Sequence, residues 1–262
     1  MKKLSIIIPA YNEEKRISKT LKEYCSFFQE KKKNKEIDFE IIVVINNTTD
    51  RTEDIVKNYQ KQYKELKYLN FKQGGKGFAI IEGFKEALKD KKNFFIGFVD
   101  ADASTSAEEY YKLLKNINDY DGIIASRYVK GSIVKPKQSI QRIIVSRIFN
   151  FLVRFLFLLP YKDTQCGAKI FKRKVIEKIL PQIGITEWAF DVDLLYKIQK
   201  SGFKIKEHFT IWADKKYSKI NLKKASLQMF FAIIQLRILN SKAKIFYKIL
   251  KPIGGFIYRK LK

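Results

Sequence analysis

The sequence predicts an α/β fold: a mostly parallel, Rossmann-like sheet with flanking helices. Three observations carry that reading. Short apolar runs of strand length alternate with longer segments whose apolar residues recur at spacings of three and four. Strand, helix, strand at this spacing needs crossover connections, which make neighbouring strands parallel. Polar clusters follow three of the runs directly, at the carboxyl ends where such sheets hold ligands. The 262 residues suit one large α/β domain, and an apolar share of 46% excludes a disordered chain. Two thiols, Cys25 and Cys166, exclude a disulfide scaffold and make a reducing compartment the expectation. The start, Met1-Lys2-Lys3 and a short apolar run that meets Pro9, is not expected to act as a signal peptide.

Each element has its own warrant. Leu4–Ile8 is an apolar run ending at Pro9 and reads as a buried strand. Glu13 to Lys33 reads as helix, with Ile17, Leu21, Tyr24, Cys25 and Phe28 on one face. Glu40–Ile45 is a second strand. Asp50, with Glu53 three positions on, predicts a helix start of the capping-box kind. Tyr68–Phe71 is a short strand, Lys76–Lys89 a helix, Phe94–Val99 a third long strand, Ser106–Asn118 a helix and Gly122–Ser126 a further strand. The chemistry is therefore expected near residues 9–13, 46–50, 100–104 and 126–128.

Three of those four places are polar. Pro9-Ala10-Tyr11-Asn12-Glu13 follows the first strand, Asn46-Asn47-Thr48-Thr49-Asp50 the second and Asp100-Ala101-Asp102 the third. Two carboxylates one residue apart at a strand end can face one hard cation and leave its other positions to phosphate and water. Gly74-Gly75-Lys76-Gly77 has neither P-loop nor dinucleotide-fingerprint spacing, but it can bring backbone amides and a lysine to a phosphate at a helix start.

Together with these, Ser126-Arg127, Asp163-Thr164-Gln165-Cys166-Gly167-Ala168-Lys169-Ile170-Phe171 and Trp188-Ala189-Phe190-Asp191-Val192-Asp193 resemble glycosyltransferase family 2. The likeness is to its dolichyl-phosphate glucosyltransferases and, more loosely, its dolichyl-phosphate mannose synthases. It spans residues 4 to 220. It implies a GT-A fold, a nucleotide-sugar donor, Mg²⁺ or Mn²⁺, inversion at the anomeric carbon and a polyprenyl phosphate acceptor at the cytoplasmic membrane face. By the same resemblance, Pro9, Ala10, Tyr11 and Glu13 line the nucleotide pocket and Asn46 meets the base. Asp100, Ala101, Lys76 and Lys219 serve the donor diphosphate. Asp100 and Asp102 hold the metal, with Ser104 where the mannose synthases place a Gln ligand. Arg127 and Arg142 grip the acceptor phosphate. Asp191 stands where relatives acting on hydroxyls keep a base, and here it could instead orient an Arg or the sugar. Asn46 replaces the family's usual Asp; an amide can pair with a pyrimidine edge, which favours a UDP-sugar. Ala168 and Tyr217 also depart from the family pattern, which often has Phe and Gly there.

Charge adds a second theme. The chain holds 53 Lys+Arg and 27 Asp+Glu, a net +26, and residues 131–262 carry 28 of the basic and only 7 of the acidic side chains. After Asp214 there is no acid, while 13 Lys or Arg follow. Such asymmetry points to a polyanionic partner. Ile143–Leu159 is apolar but interrupted by Arg147, Asn150 and Arg154, and Leu227–Leu239 by Gln228, Gln235 and Arg237. Neither makes a clean span, so both are expected to dock on an anionic membrane surface as partly inserted helices. The expected organisation is a catalytic domain over 1–220 and a basic, amphipathic membrane-associating segment over 221–262. Three other readings compete: a GDP-mannose-dependent synthase, a transferase to a glycan hydroxyl with Asp191 as base, and, remotely, a nucleic-acid-binding protein. The last lacks the motifs of the common modules.

Overall fold

The computed structural model describes residues 1–184, 189–213 and 222–241, with the side chains of the last helix from residue 227 onward. Strands and helices alternate through β1 (Lys3–Ala10), α1 (Ile17–Lys33), β2 (Asp38–Asn46), α2 (Thr52–Gln62), β3 (Leu66–Phe71), α3 (Lys76–Lys89), β4 (Asn93–Val99), α4 (Ala107–Lys115) and β5 (Gly122–Ser126). The later part holds β6 (Ile133–Lys135), α5 (Ile140–Phe157), β7 (Ala168–Lys172), α6 (Arg173–Ile179), α7 (Phe190–Lys200), β8 (Ile205–Phe209), β9 (Ile211–Ala213) and α8 (Leu222–Leu239). Seven strands form the main sheet in the order β3-β2-β1-β4-β7-β5-β8, all parallel to their neighbours except β7. The expected mostly parallel sheet is therefore present.

Strand alternation sends successive side chains into two layers. Ile6, Ile8, Ile41 and Val43 pack with Leu21, Tyr24 and Phe28 of α1 and Tyr110 of α4 on one face. Ile7, Ile42 and Val44 pack with Ile80 and Phe84 of α3 and Val175 of α6 on the other. Phe149, Val153 and Phe157 of α5 and Ile233 and Leu236 of α8 join this second layer. The expected domain boundary at residue 220 lies outside the described residues. No described helix is long and apolar enough to cross a membrane.

Three differences from the sequence reading have local causes. α1 starts at Ile17, because Glu13 belongs to the loop: its N–H donates to Thr52 Oγ1 at 2.8 Å and its carboxylate takes Arg16 at 2.6 Å. At α2, Asp50 accepts from the N–H groups of Thr52 (3.0 Å) and Glu14 (3.1 Å), while Glu53 turns to Lys57 and Asn70; the reciprocal capping box does not form. Asn150, one of the residues that interrupt the apolar run of α5, is buried against Thr164.

β7 was not legible as a strand. It runs antiparallel between β4 and β5, pairing Gly97 with Ile170 and Ile123 with Ile170. Gly97 is required there, since a Cβ would stand 2.3 Å from both the Lys169 carbonyl oxygen and the Tyr110 hydroxyl. Gly97→Ala is accordingly expected to lower stability by about 1–3 kcal/mol through overpacking. Urea unfolding followed by circular dichroism measures it, and an unchanged midpoint would contradict this packing.

Candidate active site

The site lies at the carboxyl ends of β1, β2 and β4, as the sheet topology requires. Each of these strands leaves through a residue with positive φ: Asn12 (52°), Asn47 (51°) and Ala103 (54°). Asn tolerates this conformation better than most residues, whereas Ala103 stores strain in the loop after β4. The first two loops interlock: Asn12 Oδ1 accepts from the Thr49 N–H at 2.9 Å, and the Asn12 N–H donates to Thr48 Oγ1 at 3.3 Å. Beside them Tyr11 is 55% exposed, Pro9 half-buried and Ala10 buried.

Asn46 does different work from that expected. It is buried, and in the orientation that satisfies both ends of its amide the Nδ2 donates to the Ala10 carbonyl and the Oδ1 accepts from the Gly75 N–H, each at 3.0 Å. It fastens the β1 loop to the start of α3. Each end of the amide thus has one partner inside the fold.

The Asp pair is held from below. The Asp100 N–H donates to the Gly167 carbonyl at 3.0 Å, and a Cβ on Gly167 would come within 1.8 Å of Asp100 Oδ2. Only glycine permits that approach. Asp102 Oδ1 accepts from the Ser104 N–H at 2.9 Å, while the buried Ser104 Oγ has no hydrogen-bond partner. The Ala101 carbonyl accepts from Thr20 Oγ1 at 2.7 Å, which fixes the loop between the two carboxylates. Among the described residues no group of three or more His, Cys, Asp or Glu side chains gathers into a protein-only metal cage. The Asp pair and the unpartnered hydroxyl instead fit a hard cation that draws its remaining oxygens from a diphosphate and water.

Beside this pair runs a chain of alternating charge. Lys76 Nζ lies 2.7 Å from Asp100 Oδ1 and 4.0 Å from Asp191 Oδ2. Asp191 Oδ1 in turn takes Lys169 Nζ at 2.5 Å, and that ammonium also donates to the Cys166 carbonyl at 2.6 Å. Both lysines sit over the Phe98 ring, 5.8 and 5.2 Å from its centre. Burial pushes the Asp100 carboxyl up, Asp102 adds to this, and Lys76 offsets part of it. Burial works against the Lys76 ammonium, but Asp100 and Asp191 outweigh it and hold the group above its ordinary value. Burial likewise raises Glu13, with Arg16 offsetting part.

Arg127 is paired inside the fold. Its fork is closed on Asp163: Nε donates to Oδ2 at 2.7 Å, Nη2 to Oδ1 at 2.9 Å, and the backbone N–H to Oδ2 at 3.0 Å. Burial alone would raise the Asp163 carboxyl, yet the Arg127 charge and these bonds hold it below the ordinary value. The pair occupies one edge of the guanidinium, Nε and Nη2, and leaves the Nη1 donors on its other side. Arg142 lies half-buried in the first turn of α5, its N–H donating to Ser139 Oγ at 3.3 Å. Lys219 lies outside the described residues, as do Tyr217, Ser218 and Trp188. Lys169 and Asp163 are the functional residues that sequence reasoning left without a role. The available signal was a lone lysine inside the apolar run Ala168-Ile170-Phe171.

Residues 5–180 match the model of glycosyl transferase family 2, and the chain belongs to that family. A dolichyl-phosphate beta-glucosyltransferase of Dictyostelium discoideum is 33% identical over 246 residues, covering 89% of this chain and 73% of the relative. The human protein of the same name is 32% identical over 232 residues, covering 84% and 70%. Among solved structures, a glucosyl-3-phosphoglycerate synthase from Mycobacterium tuberculosis with Mn²⁺, UDP and phosphoglyceric acid has a TM-score of 0.66 at 14% identity, covering 92% of this chain and 80% of that one. A mannosyltransferase from Pyrobaculum calidifontis with GDP-Man and Mn²⁺ has a TM-score of 0.60 at 17% identity, covering 96% and 68%. These two likenesses concern the fold, which is GT-A.

Gly167→Ala is expected to push the Asp100 carboxylate off its seat while the sheet stays intact. A displacement of that size costs about a hundredfold in kcat/KM. Activity and circular dichroism on the same preparation check it; full activity would mean Asp100 need not sit there.

Proposed function

We propose that this chain moves glucose from UDP-glucose to a dolichyl-type polyprenyl phosphate, inverting the anomeric carbon, at the cytoplasmic face of a membrane. What carries the acceptor class is the likeness to two dolichyl-phosphate beta-glucosyltransferases over 84–89% of this chain. A hydroxyl acceptor needs a carboxylate oxygen open to take its proton. Asp191 Oδ1 is taken by the buried Lys169, while Oδ2 lies 4.0 Å from Lys76, beyond hydrogen-bond distance. A phosphate monoester is already anionic at neutral pH and needs no such base. Its oxygen forms the new bond to the anomeric carbon as the bond to the donor diphosphate breaks, and UDP leaves with the electron pair. The enzyme's tasks are alignment and charge compensation.

The residues divide accordingly. Tyr11 offers its exposed ring to the base, with Pro9, Ala10 and Glu13 shaping the pocket floor. Asp100, Asp102 and Ser104 are the residues for Mg²⁺ or Mn²⁺, which when bound supplies Lewis-acid stabilisation of the leaving diphosphate. Lys76, within reach of Asp100 and Asp191, brings its charge to the same diphosphate. The glucose and dolichyl-phosphate assignments are supported by the names of the relatives, and UDP by the glucosyltransferase structure that holds it. Membrane attachment is supported by the exposed apolar side chains of α5 and by the basic second half, each Lys or Arg near an anionic leaflet adding about 1 kcal/mol.

Product analysis with labelled UDP-glucose and GDP-mannose against a polyprenyl phosphate tests this directly. A glucosyl lipid from UDP-glucose is expected; a mannosyl lipid from GDP-mannose would replace the donor assignment, and a product on a glycan hydroxyl the acceptor. Asp102→Asn is expected to lower transfer at least about a hundredfold with the fold retained. Removal of divalent cations with EDTA should do the same to the parent enzyme, and undiminished transfer in either case would remove the metal from the reading.

A further inference from the structure

We propose that Thr20 and Tyr24 of α1 are positioning residues for the divalent cation: their hydroxyls hold the loop that carries Asp100 and Asp102 in the shape that binds it. This rests on the cation site proposed above and names the side chains, outside that site, that set its affinity.

Thr20, Glu23 and Tyr24 lie on one face of α1, at spacings of three and four. Each is bonded to the stretch that runs from β4 into α4. Thr20 Oγ1 donates to the Ala101 carbonyl at 2.7 Å. The Tyr24 hydroxyl donates to the Thr105 carbonyl at 2.9 Å and lies 3.4 Å from that of Ser106. Glu23 Oε1 accepts from the N–H of Ala107, the first residue of α4, at 2.8 Å. The two hydroxyls therefore bracket residues 102–104, which include Asp102 and the unpartnered Ser104 hydroxyl.

The bracketed residues need holding. Ala103 stands at φ 54°, a conformation that alanine adopts only when its surroundings impose it. The Ala101 carbonyl shares a peptide plane with the Asp102 N–H, so the bond from Thr20 fixes the direction in which the chain enters Asp102. On its other side the loop has backbone partners. The Ser104 carbonyl accepts from the Ala213 N–H at 2.8 Å, and Thr105 bridges Trp212. Those bonds do not depend on which side chains are present; the bonds from α1 do.

Neither hydroxyl is spent elsewhere. Threonine is a poor helix former, and in mid-helix its hydroxyl can turn back to the carbonyl four residues earlier. The Arg16 carbonyl is 3.5 Å from Thr20 Oγ1 and the Ala101 carbonyl 2.7 Å, and one hydroxyl hydrogen serves the shorter bond. Thr20 and Tyr24 are both fully buried, on the face where Ile17, Leu21, Cys25 and Phe28 enter the core. A valine and a phenylalanine would fill the same space. What the two oxygens add is the bond to the loop.

The test uses the full chain with Thr20→Val, Tyr24→Phe and Thr20→Ser. Ser18→Ala is the control, since the Ser18 hydroxyl sits on the same helix but meets Tyr59 at 3.0 Å. Circular dichroism checks the fold. Mn²⁺ is titrated in the presence of UDP, its free fraction is read by electron paramagnetic resonance, and transfer from UDP-glucose is followed at rising Mn²⁺. Apparent affinity falls with the fraction of molecules whose loop is competent. Thr20→Val and Tyr24→Phe are each expected to weaken Mn²⁺ binding about tenfold, the scale of one lost buried hydrogen bond. Thr20→Ser, which restores the hydroxyl, and Ser18→Ala should match the parent. Saturating Mn²⁺ should return transfer to near the parental rate, which it would not do for a chain that had simply lost stability. Unchanged Mn²⁺ affinity in either hydroxyl-deleted variant would overturn the proposal. Equal weakening in Ser18→Ala, or a loss of transfer that saturating Mn²⁺ does not restore, would overturn it too. If the parent transfers glucose without binding Mn²⁺, the cation reading itself fails and takes this one with it.

Discussion

Lys169 lies fully buried in β7, its ammonium 2.5 Å from Asp191 and 2.6 Å from the Cys166 carbonyl. An ammonium stripped of water is tolerated only when paired and hydrogen-bonded, and removing one partner of such a pair typically costs about 3–5 kcal/mol. Asp191 must therefore point inward at Lys169. That leaves its other oxygen toward Lys76, and Lys76 reaches Asp100. A requirement met in the core thus orders the polar groups out to the edge of the sheet. The antiparallel direction of β7 makes this possible, because it delivers Lys169 and Gly167 from the same short segment. One residue balances Asp191 and the other gives Asp100 its seat.

A second set of bonds couples α5 to the same segment. Asn150 holds Thr164, Ser146 holds Tyr128, and Asp163 holds Arg127. The outward face of the helix is apolar while its inward face is hydrogen-bonded to the site. A surface helix that merely covered the core would not need the second feature. Breaking the Asn150 contact would leave buried donors on Thr164 unsatisfied, a penalty of about 1–3 kcal/mol, so position on the lipid side and geometry on the donor side are held by the same few side chains.

Much of this was legible in the sequence where local signals suffice. Lys76–Lys89 and Gly122–Ser126 were bounded to the residue because glycines and polar clusters flank them. The Asp100–Asp102 pair was placed by the apolar run before it. What was missed depended on partners far along the chain. β7 carries a lysine whose charge disguises a core strand until Asp191, 22 positions on, is beside it. By the family resemblance Arg127 reads as a phosphate ligand, and its pairing with Asp163, 36 positions away, was not visible. By the family resemblance Asn46 reads as a base contact; in the fold its amide bridges Ala10 and Gly75. Each miss is a polar group whose partner no periodicity announces.

The exposed apolar face of α5 also governs how copies of the chain behave toward one another in water. A net charge of +26 repels like molecules over long range and keeps such faces apart at low ionic strength. At physiological salt that repulsion fades beyond about 8 Å, and the apolar faces are then free to meet. Added salt, which loosens a basic protein from an anionic bilayer, thus also drives it toward its own kind. Colloidal stability in this molecule is set by the competition between its lysines and the exposed apolar side chains of α5.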